Sequence, residues 1–201
     1  MPSGATAEAL VQEIRACRLC AGHFAATATA HAPRPVVWFR PTARILIAGQ
    51  APGARVHAAG EPFRDASGAR LRDWTGLSED EFYDRDRVAV VPMAFCFPGY
   101  DAAGADLPPP PQCAATWRAR VMATLPNLRL TLLLGGAAQR WHLGTRAGMT
   151  QTVATWRDHA PCIFPLPHPS WRNTGWLKRN PWFGADLLPV LQQAVRQEMA
   201  R

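Results

Sequence analysis

The sequence predicts an α/β layer fold built on a parallel sheet, and three observations predict it. Four short apolar runs rich in β-branched residues recur along the chain, Ile45–Ala48, Val88–Val91, Leu130–Leu134 and Cys162–Phe164, with stretches of helical character between them. None of the four alternates strictly between apolar and polar, which is the pattern of strands covered on both faces, and strands that alternate with helices pair in parallel. The 201 residues suit one domain, spanning 1–201, because domains commonly hold about 100–200 residues.

Each element follows from local composition. An amphipathic N-terminal helix ends at Cys17-Arg18-Leu19-Cys20, and Ala25–Pro41 carries no periodicity, so it reads as an irregular approach to the first strand. After strand 45–48 comes Gly49-Gln50-Ala51-Pro52-Gly53, then a helical stretch over Gly68–Leu77. Strand 88–91 runs into Pro92-Met93-Ala94-Phe95-Cys96-Phe97-Pro98-Gly99, and Pro108–Pro111 reads as a stiff surface loop before a helix over Cys113–Leu125. Strand 130–134 is followed by Gly135-Gly136 and a helix over Ala137–Leu143. The last strand leads to Pro165-Leu166-Pro167-His168-Pro169-Ser170, and a final helix covers about Phe183–Arg201. Glycine and proline therefore cluster at the carboxyl end of every strand, where open α/β sheets bind ligands, so these loops are expected to form one site.

Composition limits the partners. With 48% apolar and 18% charged residues the chain is of globular type, and no apolar run approaches the ~20 residues that cross a bilayer. The N-terminus lacks the basic start and apolar stretch of a secretory signal, so a cytoplasmic protein without membrane association is expected, nucleoid-associated if the source is a bacterium. A net charge of +7 favours a polyanionic partner. Lys178 is the one lysine among 22 basic residues, a bias that GC-rich coding DNA also produces.

Five cysteines in such a chain argue against a disulfide framework. They divide into four plus one: the pair Cys17 and Cys20, the distant Cys96 and Cys113, and Cys162 alone in the fourth strand, where it reads as a small core residue. Four such thiolates can close a tetrahedral site for zinc or an iron–sulfur cluster. A redox pair would sit between a strand and a helix, and unliganded cysteines are the remaining alternative.

Gly49-Gln50-Ala51-Pro52-Gly53 followed by Gly60-Glu61-Pro62-Phe63, with His168-Pro169-Ser170-Trp171-Arg172-Asn173 downstream, resembles the two signature loops of the uracil-DNA glycosylase superfamily. The order and spacing of Cys17, Cys20, Cys96 and Cys113 are similar to its iron–sulfur branch, family 4. The resemblance implies a three-layer α/β/α sandwich with a four-stranded parallel sheet, a structural [4Fe-4S] cluster on those cysteines with zinc as the lesser alternative, and a monomer that acts on DNA. It implies hydrolysis of the N-glycosidic bond of uracil or another deaminated or damaged base. By the same resemblance Gly49, Gln50, Ala51, Pro52 and Gly53 hold base and water, Phe63 stacks on the extruded base, and His168 stabilises charge on the uracil O2. Such a donor suits the chemistry, because a base leaves its sugar only if its departing charge is stabilised, and only once it is out of the stack. The segment from Trp171 to Phe183 holds three basic residues and four aromatics without an acid. Ser170, Arg172, Asn173, Lys178 and Arg179 are accordingly its expected DNA contacts, while Trp176 and Trp182 also suit packing of the final helix.

Three positions depart from the family pattern. Ala51 stands where the most active branch carries a water-positioning aspartate, and Gly53 leaves open a space that a tyrosine fills in the strictly uracil-selective branch. Pro92 stands where an asparagine reads the uracil edge, and proline has neither a side-chain donor nor an N–H. Gln50 and Asp65 are the substitute polar groups, with Asp65 also a candidate for orienting water, or else a loop-capping or salt-bridged residue, and Glu61 a weaker one. Two other readings therefore stand beside the glycosylase: a nucleic-acid-binding protein that recognises a lesion or an abasic site without excising it, and a sensor in which the cluster itself is the function.

Overall fold

The structure, a computed structural model, describes residues 4–201, so the first three residues of the range 1–201 and of the N-terminal leader reading lie outside the described part. Four parallel strands, β1 (Ile45–Ala48), β2 (Val88–Val90), β3 (Leu130–Leu134) and β4 (Ile163–Leu166), lie in the order β2-β1-β3-β4. Register pairs Ile45 with both Val88 and Leu130, and Thr131 with Ile163. The predicted sheet is thus present, although the fourth strand starts one residue later and extends through Pro165.

Side chains alternate along each strand, and each set meets its own helical layer. Ile45, Ile47, Val90, Leu132, Leu134 and Phe164 face one core, built with Leu71 and Trp74 of α4 (Ala66–Thr75), Phe82 of α5 (Glu79–Tyr83) and Leu191 and Val195 of α10 (Leu188–Met199). Leu46, Ala48, Ala89, Val91 and Leu133 face the other, with Leu10 and Ile14 of α1 (Gly4–Arg15), Trp117 and Val121 of α6 (Pro111–Ala123) and Ala138 of α7 (Gly136–Leu143). This is the α/β/α sandwich. The short helices α2 (Ala21–Ala25), α3 (Ala54–Ala59), α8 (Met149–Ala154) and α9 (Thr174–Arg179) complete the connections.

Several boundaries have local causes. Pro111 opens α6, where a missing N–H costs nothing, so the proline run ends in a helix start as well as a loop. Ser78 and Glu81 form a capping box on α5. The final helix divides into a π turn over Phe183–Leu187 followed by α10. The segment between α2 and β1 is irregular as predicted, but Trp38 bridges Val90 antiparallel and covers the outer edge of β2. Cys162 corrects the sequence reading: it is exposed and precedes the strand it was expected to pack in. The Cys-Ile-Phe run is too short for its first residue to reach the core.

Behind β2, Arg118 of α6 is only 1% exposed. Its guanidinium contacts Nε2 of His142, which has to be the neutral acceptor because arginine only donates. Burial, reinforced by Arg118, pulls the His142 pKa down to about 3. The unfolded chain takes this proton first, so the contribution to stability is full above the ordinary value of 6.5 and is lost as pH falls toward about 3. His142→Gln, a neutral acceptor that does not titrate, is expected to flatten the acid limb of the unfolding midpoint against pH; an unchanged limb would assign that limb to other groups.

Candidate active site

At the carboxyl edge of the sheet lies a cleft of about 580 Å³, within the ~300–1,000 Å³ typical of small-molecule sites. Gly49, Gln50, Ala51, Pro52, Gly53, Phe63, Asp65, Pro92, His168, Ser170 and Arg172 all line it, so one cavity gathers the predicted catalytic and base-binding residues.

The loop after β1 presents its backbone. Met93 N–H donates to the Gly49 carbonyl at 2.9 Å and Ala94 N–H to the Gln50 carbonyl at 3.0 Å, pinning the carbonyl side of the loop. Among the described residues no protein acceptor takes the N–H of Gln50, Ala51 or Gly53, so three donors remain for a ligand. A Cβ built on Gly53 meets nothing within 4 Å, so the space expected from the missing tyrosine is open.

His168 follows β4 and is held from two sides. Ser170 N–H donates to its Nδ1 at 3.2 Å, and Asn173 Nδ2 donates to its carbonyl at 2.7 Å. Arg70 of α4 donates to the Ser170 carbonyl at 2.9 Å and buttresses the same turn. With Nδ1 accepting, the neutral ring carries its proton on Nε2. Burial lowers the His168 pKa against the opposing pull of Asp65 and Asp106, which keeps that ring neutral near pH 7. The result is a fixed neutral N–H donor lining the cleft.

Phe63 occupies a left-handed backbone conformation with φ 57° and meets Phe82 edge-on at 5.9 Å, so it packs on the core as well as lining the cleft. Gly68 permits this. A Cβ there would come within 1.8 Å of the Phe63 carbonyl oxygen, so only glycine allows α4 to approach so closely.

Several of the predicted residues have partners or positions that the sequence did not specify. Asp65 lines the cleft and its Oδ1 accepts from the N–H groups of Ser67 and Gly68, so this carboxylate caps α4. Glu61 is ion-paired with Arg64 at 2.6 Å and does not line the cleft. Asn173 braces His168 through its side-chain amide. Lys178 and Arg179 are exposed on α9 but outside the cleft, while Trp176 is buried. Trp171, by contrast, is 75% exposed at the rim, a large apolar side chain available to a partner.

The cleft also contains residues that sequence reasoning missed. A hairpin over Gly99–Leu107, closed by the Tyr100–Asp106 bridge, contributes Tyr100, Asp106 and Leu107. Asp106 pairs with Arg172 at 3.4 Å. Arg55 at the start of α3 lines the cleft without an ion pair among the described residues. Alanine, glycine and aspartate over 101–106 carry no periodic signal, which hid the hairpin.

On the α1–α6 side, Cys17, Cys20, Cys96 and Cys113 border one apolar hollow with Ile14, Phe24, Phe95 and Trp117. All are free thiols. Burial, with the neighbouring cysteines adding to it, pushes Cys96 up to about 12 and Cys113 up to about 11. Such thiols ionise only when a cationic group takes the place of the proton, so the donor set suits a thiolate-bound zinc ion or iron–sulfur cluster. Among the described residues no three His, Cys, Asp or Glu side chains are arranged to hold a single metal ion.

Among the described residues no helix is long and apolar enough to cross a membrane. Compared with known families, residues 36–192 match the Uracil DNA glycosylase superfamily. That range contains the cleft, Cys96 and Cys113; Cys17 and Cys20 lie before it.

Proposed function

The chain belongs to the uracil DNA glycosylase superfamily, and from that premise we propose that it is a base-excision enzyme of the iron–sulfur branch, hydrolysing the N-glycosidic bond of uracil or another deaminated base in DNA. The observation that carries this reading is the neutral His168, its Nδ1 engaged by Ser170 N–H, beside three unpaired N–H donors of the Gly49–Gly53 loop. As the bond from base to sugar C1′ breaks, the electron pair leaves with the base. His168 Nε2–H and the loop donors stabilise that charge, which is where preorganised donors lower a barrier most. Water then attacks C1′ and the proton it gives up passes to the departed base anion, leaving an abasic sugar and the neutral free base. Phe63 offers a ring for the base, and exposed Trp171 suits insertion into the stack while Arg172 and Arg55 meet phosphates. Cys17, Cys20, Cys96 and Cys113 would hold a structural [4Fe-4S] cluster that ties the N-terminal helices to the loop after β2 and to α6.

A second reading, binding without excision, draws on Asp65 and Pro92. The first is a helix cap and the second offers no donor, so the asparagine of the family pattern has no counterpart at its own position and the Gln50 amide is the substitute in the cleft. One assay separates the two. End-labelled strands carrying uracil, hypoxanthine or xanthine, single and paired, are incubated with the protein and treated with alkali. Alkali-labile breaks support excision and name the base; binding without breaks supports the second reading. Filling the open space with Gly53→Tyr is expected to reduce release of a two-ring base by about 10–200-fold, the range for steric discrimination in a pocket, and release of uracil much less. An equal loss for both would place Gly53 outside the base site.

A further inference from the structure

Arg118 is the most deeply buried charge outside the cleft, and the mechanism above does not use it. It lies 1% exposed in α6, and burial alone draws its pKa down to about 10, with no acid opposing. Its Nη1 donates to the Val91 carbonyl at 2.6 Å and the Pro92 carbonyl at 3.2 Å, Nη2 contacts His142, and the guanidinium lies 5.1 Å from the Trp141 ring. Its Nε has no partner among the described residues. A cation buried among carbonyls and a neutral imidazole is costly unless it fixes something.

Those carbonyls belong to the turn where β2 ends and the cleft begins. Pro92 lines the cleft, and the next two residues, Met93 and Ala94, donate the hydrogen bonds that pin Gly49 and Gln50. The geometry points to Arg118 as a positioning residue: from behind the sheet it fixes the Val91–Pro92 turn, and through Met93 and Ala94 it sets the loop whose free N–H groups face the base. The inference rests on the proposed base-binding role of that loop. It also gives Pro92 a part, since a residue with no N–H leaves its carbonyl as the one backbone group to be held.

The test uses the full chain with Arg118→Met and the milder Arg118→Lys. Amide hydrogen exchange is followed at Met93 and Ala94, with Leu132 and Leu133 of β3 as internal reference. Base release at saturating DNA and affinity for an abasic-analogue strand are measured alongside. Arg118→Met is expected to speed exchange at Met93 and Ala94 by about tenfold or more while β3 is unchanged. Release should slow by roughly tenfold to a hundredfold, as for a misplaced reacting group, with abasic-strand affinity unaltered and Arg118→Lys intermediate in both. Uniform exchange across the sheet, or faster exchange at Met93 and Ala94 with release unchanged, would overturn the inference and leave Arg118 a packing residue. If the wild type releases no base, the excision reading falls. Exchange then decides by itself whether Arg118 sets the loop, and Arg118→Lys carries the measurement if the methionine variant does not fold.

Discussion

Alanine at His168 is expected to slow base release by about 10²–10³-fold, the loss that follows removal of one donor worth roughly 2.7–4 kcal/mol at a developing anion. Affinity for DNA should change little, because Arg172, Arg55 and Trp171 at the cleft are untouched. Single-turnover release from a labelled strand, paired with a binding titration, separates the two; a parallel loss of affinity would make His168 a binding group. The pH profile is a second signature. Burial lowers the His168 pKa from 6.5, so the neutral donor predominates above that value and release should be level there. Below it, as pH falls through the lowered pKa, protonation of Nδ1 ends the Ser170 hydrogen bond and release should decline. A profile that rises on acidification would instead assign the work to the imidazolium.

Serine at Cys96 is expected to have the largest effect on the fold. Anaerobically prepared wild type should hold iron and sulfide in equal amounts, about four of each per chain for a cubane cluster. Cys96→Ser should lose both and unfold more readily by about 4 kcal/mol or more, as when a structural metal group is lost. Cys162→Ser should do neither, since that cysteine is exposed and remote from the other four. Iron and sulfide analysis with thermal unfolding checks this. Zinc in place of iron would overturn the cluster assignment, and equal stability of wild type and Cys96→Ser would remove its structural role.

The sheet was legible because its strands are bare apolar runs ending in glycine and proline, and both survive without tertiary information. The loops after β1 and β4 were legible as a site for the same reason. Interactions between distant residues were not. Asp65 is a local case: Asp-x-Ser-Gly before an apolar pattern marks a helix cap, and the sequence left the cap and the water-orienting carboxylate both open. Asn173 lies among basic and aromatic residues, and only the turn of the chain directs its amide to the His168 carbonyl. Arg118 sits on the buried side of α6 in a segment whose arginines otherwise read as surface. No local pattern separates the arginine that enters the core from the one that leaves it.

The contact between Gly68 and the Phe63 carbonyl divides the cleft into parts with different freedom to change. The aromatic wall is set by a backbone carbonyl lodged against a helix that must have glycine at that point, whereas the ring lines the space and meets the core through one edge-on contact with Phe82. Exchanging the ring therefore alters the wall without moving the frame, and exchanging the glycine moves the frame whatever the ring is. For variation toward a new base, Phe63 and Gly53 are adjustable fittings and Gly68 is the hinge pin that has to stay.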